Sequence, residues 1–416
     1  MFNFNEKLIT LSTEAEQVLA PIYAKLDALC EKNSQKILSS FIKNRVSYSD
    51  FTDINGYGYY DGGRDKLERI YAEVLGGEDA LVRAQMMSGT NAIALTLSAL
   101  LKHGDTLLSV SGTPYDSLQA IIGIIGDSNQ SLKAHGVNYE EIALTADSDF
   151  DYDKIKERIA KRDITVVAVQ RSRGYSDRDS LTIEKIEKLC SMIKSIDEKV
   201  IIMVDNCYGE LVEDKEPTEV GADIIVGSLM KNLGGGVASS GGYVVGKKAL
   251  VNEVAERLTS PGIGKDLGAN FNQNLSFFKG IYLAPSAVKS ALKTAVFASF
   301  MLEKLGFDGV SPTFSEYRTD IIQTVKLKNP ENLVKFCQGM QEGSPIDSFV
   351  SVIPAPMPGY PHDEVMAAGS FTQGSTIELS CDAPMCEPFT CYLQGGLTYE
   401  YGKLGILTAL NKMLEK

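Results

Sequence analysis

Residues 200–236 read VIIMVDNCYGELVEDKEPTEVGADIIVGSLMKNLGGG, and they indicate both the fold class and the position of a candidate site. Two β-branched runs, Val200–Val204 and Asp223–Val226, have the length and composition of buried strands. The first run is followed by Asp205, and the second by Lys231 and then three glycines. Ligands of open α/β sheets bind at the carboxyl ends of the strands. We therefore predict that Asp205 and Lys231 face one ligand.

Similar runs recur along the chain, with helical patterns between several of them. The strand-like runs include Ala80–Arg83, Thr106–Val110 and Val166–Gln170, and the helical segments include Asn91–Lys102, Ser117–Ile125, Tyr152–Lys161 and Ile183–Ile196. Strands that alternate with helices indicate a parallel sheet covered on both faces. The predicted fold class is α/β, with a mostly parallel central sheet, helices on both faces and a smaller α+β C-terminal domain.

The sequence pattern changes after residue 285, where a long amphipathic helix is predicted over Ala287–Leu305. Beyond it we predict strands at Ser348–Ile353 and Ser375–Leu379 and a closing helix near Tyr401–Lys412. The predicted parts are an N-terminal helical segment (1–54) that packs on the small domain or on a partner subunit, a large α/β domain (55–285) and a small domain (286–416).

Composition excludes several classes of partner. The 416 residues include 41 Lys+Arg and 54 Asp+Glu, which gives a net charge of −13. This charge repels nucleic acids and anionic membrane surfaces. The seven cysteines are scattered without a CxxC pair, and no leader or membrane-spanning run is visible, so we expect a cytoplasmic protein with reduced thiols.

The stretch Ser88-Gly89-Thr90 opens an apolar helix and offers small and hydroxyl residues at its first turn. Helix N-termini of this kind bind phosphate, although taken alone the stretch is better explained as a helix cap. Combined with Asp205 and Lys231, it matches the needs of pyridoxal phosphate. That cofactor forms a Schiff base with a lysine amine and needs an acidic partner for its pyridine nitrogen.

An aromatic side chain follows another strand, at Tyr115 in Ser111-Gly-Thr-Pro-Tyr-Asp116. With the other groups in place, we predict that Tyr115 stacks on the cofactor ring. The alternative is an ordinary packing tyrosine.

Five stretches extend this picture: GYGYYDGGRDKLE, DNCYGELVE, GSLMKNLGGG, SGGYVVGK and YLQGGLTYEYGKLGIL. From about residue 50 to the C-terminus the chain resembles the methionine gamma-lyase-like group, also called aluminium resistance proteins, among the fold-type I pyridoxal-phosphate enzymes.

The resemblance implies specific roles and an assembly. Lys231 would be the Schiff-base lysine, Asp205 the pyridinium partner and Tyr115 the stacking ring, with the phosphate held by Ser88, Gly89, Thr90 and Ser228. A partner subunit would supply Tyr57 to the phosphate, which implies a homodimer or homotetramer with a shared active site. Tyr57-Gly-Tyr59 lacks the arginine that the cystathionine and methionine lyases carry in this motif.

The substrate end departs from the related enzymes. They hold the substrate carboxylate with an arginine of the small domain, where this chain has Glu378, and Cys386 stands near the place of another arginine. Arg171 and Arg173 follow a buried strand and could supply bidentate binding of the carboxylate. The alternative is that both are surface arginines that pair with the many carboxylates of the chain.

Two other motifs carry no function. Gly241–Lys248 nearly spells a nucleotide-binding loop, but its centre reads as a strand and Lys248 replaces the required hydroxyl residue. Cys381, Cys386 and Cys391 are equally spaced but lack zinc-ligand spacing, so we predict packing thiols and no metal site.

These observations favour a pyridoxal-phosphate lyase that cleaves a carbon–sulfur bond of a sulfur-containing amino acid by β- or γ-elimination, with Lys231 and Tyr115 as catalytic residues. Two alternatives stay open. One is pyridoxal-phosphate catalysis of another type, such as transamination, racemisation or decarboxylation. The other is a non-catalytic cofactor-binding protein linked to metal stress.

Overall fold

The computed structural model describes residues 3–52, 54–57 and 61–415. The described residues form two β-sheets. The strands of the first sheet are β1 (Asp79–Arg83), β2 (Thr106–Ser109), β3 (Asn138–Glu141), β4 (Val166–Gln170), β5 (Ile201–Asp205), β6 (Ile224–Ser228) and β7 (Gly242–Gly246). Their order is β1-β7-β6-β5-β4-β2-β3, and β7 alone runs against its neighbours. The prediction of a mostly parallel central sheet is confirmed.

The helices are α1 (Glu6–Lys43), α2 (Gly62–Val74), α3 (Gly89–Leu100), α4 (Asp116–Ile122), α5 (Tyr152–Ile159), α6 (Ile183–Ile196), α7 (Lys248–Leu258), α8 (Asn274–Leu305), α9 (Pro330–Glu342) and α10 (Tyr399–Leu414). Apolar side chains cover both faces of the first sheet. On one face they meet α2, α5, α6 and the first part of α8, and on the other α3, α4 and α7. This layering explains why the strands read as continuous apolar runs.

The second sheet is antiparallel and contains β8 (Asp308–Ser311), β9 (Gln323–Lys326), β10 (Ala355–Pro356), β11 (Asp363–Ala367), β12 (Ser380–Pro384) and β13 (Thr390–Gln394). The strands predicted at Ser348–Ile353 and Ser375–Leu379 are wrong, because both segments lie in irregular structure or turns.

Two long helices connect the sheets. The first half of α1 packs into the core of the second sheet through Leu8 and Leu19, while Ile37 reaches the core of the first. Helix α8 begins at Asn274, thirteen residues before the predicted start at Ala287, and Pro285 lies inside the helix. Gly280 in α8 brings the helix close to the loop after Lys231, since a Cβ atom there would lie 2.8 Å from the Gly234 oxygen.

Within the described part of the chain, the helices do not combine the length and apolarity that crossing a membrane requires.

Candidate active site

One cavity of about 250 Å³ lies where the carboxyl ends of β4, β5 and β6 face the second sheet. It is lined by the predicted residues Ser88, Gly89, Thr90, Tyr115, Asp205, Ser228 and Lys231. A larger cavity of about 620 Å³ lies between α1, α6, α8 and residues 314–318, away from these strand ends. Because ligands of such sheets bind at the strand ends, the smaller cavity is the candidate site.

The N-terminus of α3 forms one wall of this cavity. Ser88 caps the helix, and its hydroxyl accepts a hydrogen bond from the Asn91 amide at 3.1 Å. Gly89 follows at the first helical position, where a Cβ atom would approach the Ser228 Cβ to 3.1 Å and the Cys207 Sγ to 3.4 Å. A first helical turn leaves backbone N–H groups without intrahelical partners and attracts anions. The wall therefore suits a phosphate group.

Asp205 ends β5 and is buried in the cavity. One carboxylate oxygen accepts a hydrogen bond from the Cys207 amide at 3.1 Å. Burial raises the pKa of Asp205, while the charge of Lys231 acts in the opposite direction. A buried carboxylate needs a cationic or hydrogen-bonding partner, and a protonated ring nitrogen is such a partner.

Lys231 follows β6 after two residues, and its Nζ atom lies 3.9 Å from the centre of the Tyr208 ring. Burial lowers the pKa of Lys231, but Cys207, Tyr208 and Asp205 together raise it well above its ordinary value. Burial also raises the pKa values of Cys207 and Tyr208, the latter to about 12, so both are neutral near pH 7. Of these three neighbours, Asp205 is therefore the one that carries a negative charge beside the ammonium group near pH 7.

Tyr115 precedes α4 and lies beside these charges. Its hydroxyl donates to the Thr90 Oγ1 at 3.2 Å, and its amide donates to the Gln170 side chain at 3.1 Å. Burial and the charge of Asp205 raise the pKa of Tyr115, so the phenol keeps its proton near pH 7. It can stack and also donate a proton.

Several further side chains complete the cavity and were not predicted as site residues. They are Gln170, Tyr175, Cys207, Tyr208, Tyr360, Met366, Thr376 and Asp382. Cys207 follows the Asp205–Asn206 pair in the sequence and lines the site beside Asp205. Tyr208 could have been found, because it lies three residues after Asp205. Tyr360 lies in the loop before β11 and Asp382 lies on β12, and neither is part of a sequence motif that predicts a site.

Tyr57 is not among the residues that line this cavity. Its side chain is 76% exposed and does not line the site of its own chain. Tyr59, the other tyrosine of the motif, lies outside the described residues. The role of Tyr57 in a neighbouring subunit stays a prediction.

Arg171 and Arg173 are placed differently from the substrate-binding prediction. Neither lines the cavity, and both are fully buried. Arg171 donates to Asn206 at 2.7 Å and to Glu213 at 2.8 Å. Arg173 donates to the Ser311 hydroxyl at 3.1 Å and so joins the loop after β4 to the second sheet. With their guanidinium groups engaged by the protein, neither is available to a substrate. The alternative of surface arginines is also wrong about their position, because both are buried, although Arg171 does pair with a carboxylate.

Replacing Arg171 by methionine is expected to lower the free energy of unfolding by about 3–5 kcal/mol, because Glu213 would lose its buried partner. Urea denaturation measures the change, with the exposed Arg162→Met variant as control. A variant that kept its stability while its KM for substrate rose would restore the substrate-binding interpretation.

Glu378 also has a structural role. Its two carboxylate oxygens accept hydrogen bonds from the amides of Phe371 and Thr372 at 2.8 and 3.0 Å. It does not line the cavity. Glu378 stands where the related enzymes have an arginine, and here it stabilises the turn at Phe371 and Thr372 through these hydrogen bonds.

The cysteines that cluster in space are not the three that are equally spaced in the sequence. Cys381 and Cys391 lie with Cys337, and the three sulfur atoms are within 4.8 Å of one another. All three are buried in an apolar core, whereas Cys386 lies nearer the surface and outside this group. Their surroundings are those of packing side chains.

The donor set fits pyridoxal phosphate. A helix N-terminus with two hydroxyl side chains suits the phosphate, Asp205 suits the pyridine nitrogen, and Lys231 suits the aldehyde. Gly89 lets the first turn of α3 pack closely on the end of β6, because a Cβ atom there would lie 3.1 Å from the Ser228 Cβ and would require it to shift by a few tenths of an ångström.

The sheet order, the second domain and the position of this cavity are those of fold-type I pyridoxal-phosphate-dependent enzymes. Residues 8–414 match the sequence model of the methionine gamma-lyase family. The chain belongs to that family, as its sequence motifs predicted.

Three relatives illustrate the match. YnbB, an uncharacterised protein of Bacillus subtilis (strain 168), is 45% identical over 99% of this chain and 97% of its own. A carbon–sulfur lyase involved in aluminium resistance from Clostridium novyi NT is 44% identical, with a TM-score of 0.94 over 99% of this chain and 97% of its own. A proposed cystathionine beta-lyase involved in aluminium resistance from Listeria monocytogenes is 44% identical, with a TM-score of 0.94 over 97% and 100%.

Proposed function

We propose that this chain is a pyridoxal-phosphate-dependent lyase that cleaves the carbon–sulfur bond of a sulfur-containing amino acid by β- or γ-elimination. One observation carries the proposal: Lys231, Asp205 and the N-terminus of α3 meet in one buried cavity. The relative from Clostridium novyi, which is described as a carbon–sulfur lyase, supports the type of reaction.

In this proposal the side chains divide between binding and proton transfer. Ser88, Gly89, Thr90 and Ser228 hold the phosphate, and Asp205 keeps the ring nitrogen protonated. When bound, pyridoxal phosphate supplies an electron sink for the charge that develops on the substrate α-carbon.

Proton transfer is assigned to two residues. The Nζ atom of Lys231 would hold the cofactor, and the same amine would take the proton from the substrate α-carbon. The Tyr115 phenol, which keeps its proton near pH 7 and lies in the same cavity, donates a proton to the departing sulfur. Tyr208 lies against Lys231 and limits the access of water to its amine.

The experiment that tests the proposal is product detection after incubation of the loaded protein with a panel of sulfur-containing amino acids. We expect release of a thiol together with pyruvate for β-elimination or 2-oxobutyrate for γ-elimination. A panel in which amino acids change the absorbance of the bound cofactor without releasing thiol would instead favour transamination or racemisation. No change with any amino acid would favour a cofactor-binding protein without catalysis.

Substitution of Gly89 by alanine is expected to weaken binding of pyridoxal phosphate about tenfold or more. The added methyl group would press on Ser228 and Cys207 and move the first turn of α3 away from the phosphate. Titration of the cofactor-free protein, followed by visible absorbance, measures the dissociation constant. Gly104→Ala is the control for the loss of a glycine outside the cavity: no atom lies within 4 Å of the new methyl group, and the left-handed backbone there (φ +90°) is expected to cost stability without changing the affinity for the cofactor. Unchanged affinity of Gly89→Ala would place the phosphate elsewhere.

The proposal includes an assembly and a compartment. Exposed Tyr57 supports a homodimer or homotetramer in which this residue completes the neighbouring site. The seven cysteines are free thiols in the structure, which supports a reducing cytoplasm. Analytical ultracentrifugation of the wild type and of Tyr57→Ala, with cofactor affinity measured for both, tests the shared site.

A further inference from the structure

A second carboxylate, that of Asp382, lies in the cavity and has no role in the proposed cofactor site. It is on β12 of the second sheet, lines the cavity, and is only 5% exposed. The Gln394 amide donates to its Oδ2 atom, and the Tyr175 hydroxyl lies close enough to lower its pKa. Its Oδ1 atom is buried without a hydrogen-bond partner of good geometry. Buried carboxylate oxygens seldom lack a hydrogen-bond partner, so the unpartnered Oδ1 atom points to a partner that a ligand supplies.

The charged side chains of the cavity indicate which kind of ligand group that partner is. Among the described residues that line it, the charged side chains are Asp205, Lys231 and Asp382, and no arginine or histidine is present. In the proposed function the cofactor engages Asp205 and Lys231. Asp382 is then the charged side chain that remains to meet the substrate.

Asp382 carries its charge under ordinary conditions. Burial raises its pKa to about 6, although the nearby Tyr175 hydroxyl, the Gln394 amide and the charge of Lys231 act to lower it. The carboxylate is thus mostly ionised at pH 7. An ionised carboxylate in a desolvated site is stabilised strongly by a cation with good geometry.

Aromatic rings surround the same part of the cavity. Tyr175, Tyr208 and Tyr360 all line it, and the rings of Tyr175 and Tyr360 lie 5.7 Å apart. Tyr208 already has a cation over its face, the Lys231 amine. Tyrosine rings attract ammonium groups through their negative faces, so the rings and the carboxylate favour the same kind of ligand.

We propose that Asp382 binds an ammonium group located beyond the sulfur atom of the substrate. The inference rests on the proposed lyase function and deepens it, because it names the substrate class: thioether amino acids whose far end carries a primary ammonium group. The α-ammonium itself is excluded as the partner, since that nitrogen must reach the cofactor at Lys231. A substrate ending in a methyl group would leave the carboxylate without a partner.

Two probes of nearly equal shape test this inference. S-(2-aminoethyl)-L-cysteine and S-propyl-L-cysteine differ in the terminal group, which is ammonium in the first and methyl in the second. For the loaded wild type, we expect at least about tenfold tighter binding of the ammonium probe, measured through the visible absorbance of the bound cofactor. The ratio of kcat/KM for thiol release is expected to follow the same order.

Asp382→Asn is expected to remove this preference while keeping the fold and the cofactor. Glu364→Gln is the matched control, because Glu364 is also a buried carboxylate of the second sheet but does not line the cavity. Burial and the charge of Asp382 raise the pKa of Glu364 to about 8, so the control removes little charge near pH 7. We expect Glu364→Gln to keep the wild-type preference. If Asp382→Asn does not fold, the ratio of the two probes' dissociation constants for the wild type still tests the inference.

The two proposals fail in different ways. Equal affinity of the wild type for both probes, or a preference that survives in Asp382→Asn, would overturn the role of Asp382 even if thiol is released. A clear preference in binding without thiol release from either probe would support the ammonium site and overturn the lyase function.

Discussion

Replacing Lys231 by alanine is expected to abolish the visible absorbance of the bound cofactor and to lower the rate of thiol release at least about a thousandfold. The proposed cofactor has one amine within reach in this cavity, because Lys231 is the lysine among its described lining residues. The same amine is assigned the α-proton, so its removal takes away both the attachment and the base.

Lys247→Ala is the matched control for this change. Lys247 also follows a strand, β7, but β7 runs antiparallel to β6 and so delivers its lysine to the opposite edge of the sheet. There its amine pairs with Asp223 at 2.6 Å. We expect Lys247→Ala to keep the absorbance and the rate. Retention of the cofactor band in Lys231→Ala would contradict the account.

Replacing Asp205 by asparagine is expected to lower kcat about a hundredfold to a thousandfold while the cofactor stays bound. The amide is close in size to the carboxylate but carries no charge, so it cannot hold the ring nitrogen in its protonated form. Stopped-flow absorbance and steady-state thiol release measure the two effects separately. The phosphate contacts at α3 are untouched by this substitution, which is why binding is expected to persist.

Asp223→Asn provides the comparison for Asp205. Asp223 is a buried carboxylate beside the same strands, but it lies at the amino end of β6 and pairs with Lys194 at 2.7 Å and Lys247 at 2.6 Å. Its loss should lower stability without lowering kcat of the folded enzyme. Equal kcat in the wild type and Asp205→Asn would contradict the assignment of Asp205 as the partner of the ring nitrogen.

The cofactor side of the cavity could be predicted from the sequence because its groups follow strands of one parallel sheet. The apolar runs define β5 and β6, and the direction of parallel strands brings Asp205 and Lys231 to the same edge. Ser88 likewise precedes a helix whose apolar pattern is continuous. Local pattern and strand direction together therefore predicted that these residues meet.

The substrate side could not be predicted in this way. Asp382 reaches the cavity through the packing of the second sheet against the first, and Tyr360 lies in the loop before β11. Both depend on contacts between distant parts of the chain, which periodicity does not encode. Arg171 shows the converse: it follows a strand at the correct edge, but Glu213 engages it away from the cavity.

The most direct test of the central claim is borohydride reduction of the cofactor-loaded protein followed by peptide mass spectrometry. The account predicts the mass of the reduced cofactor on the peptide that contains Lys231, and on no other lysine. Attachment to a different lysine, or recovery of the Lys231 peptide without added mass from protein that shows the cofactor absorbance, would contradict it.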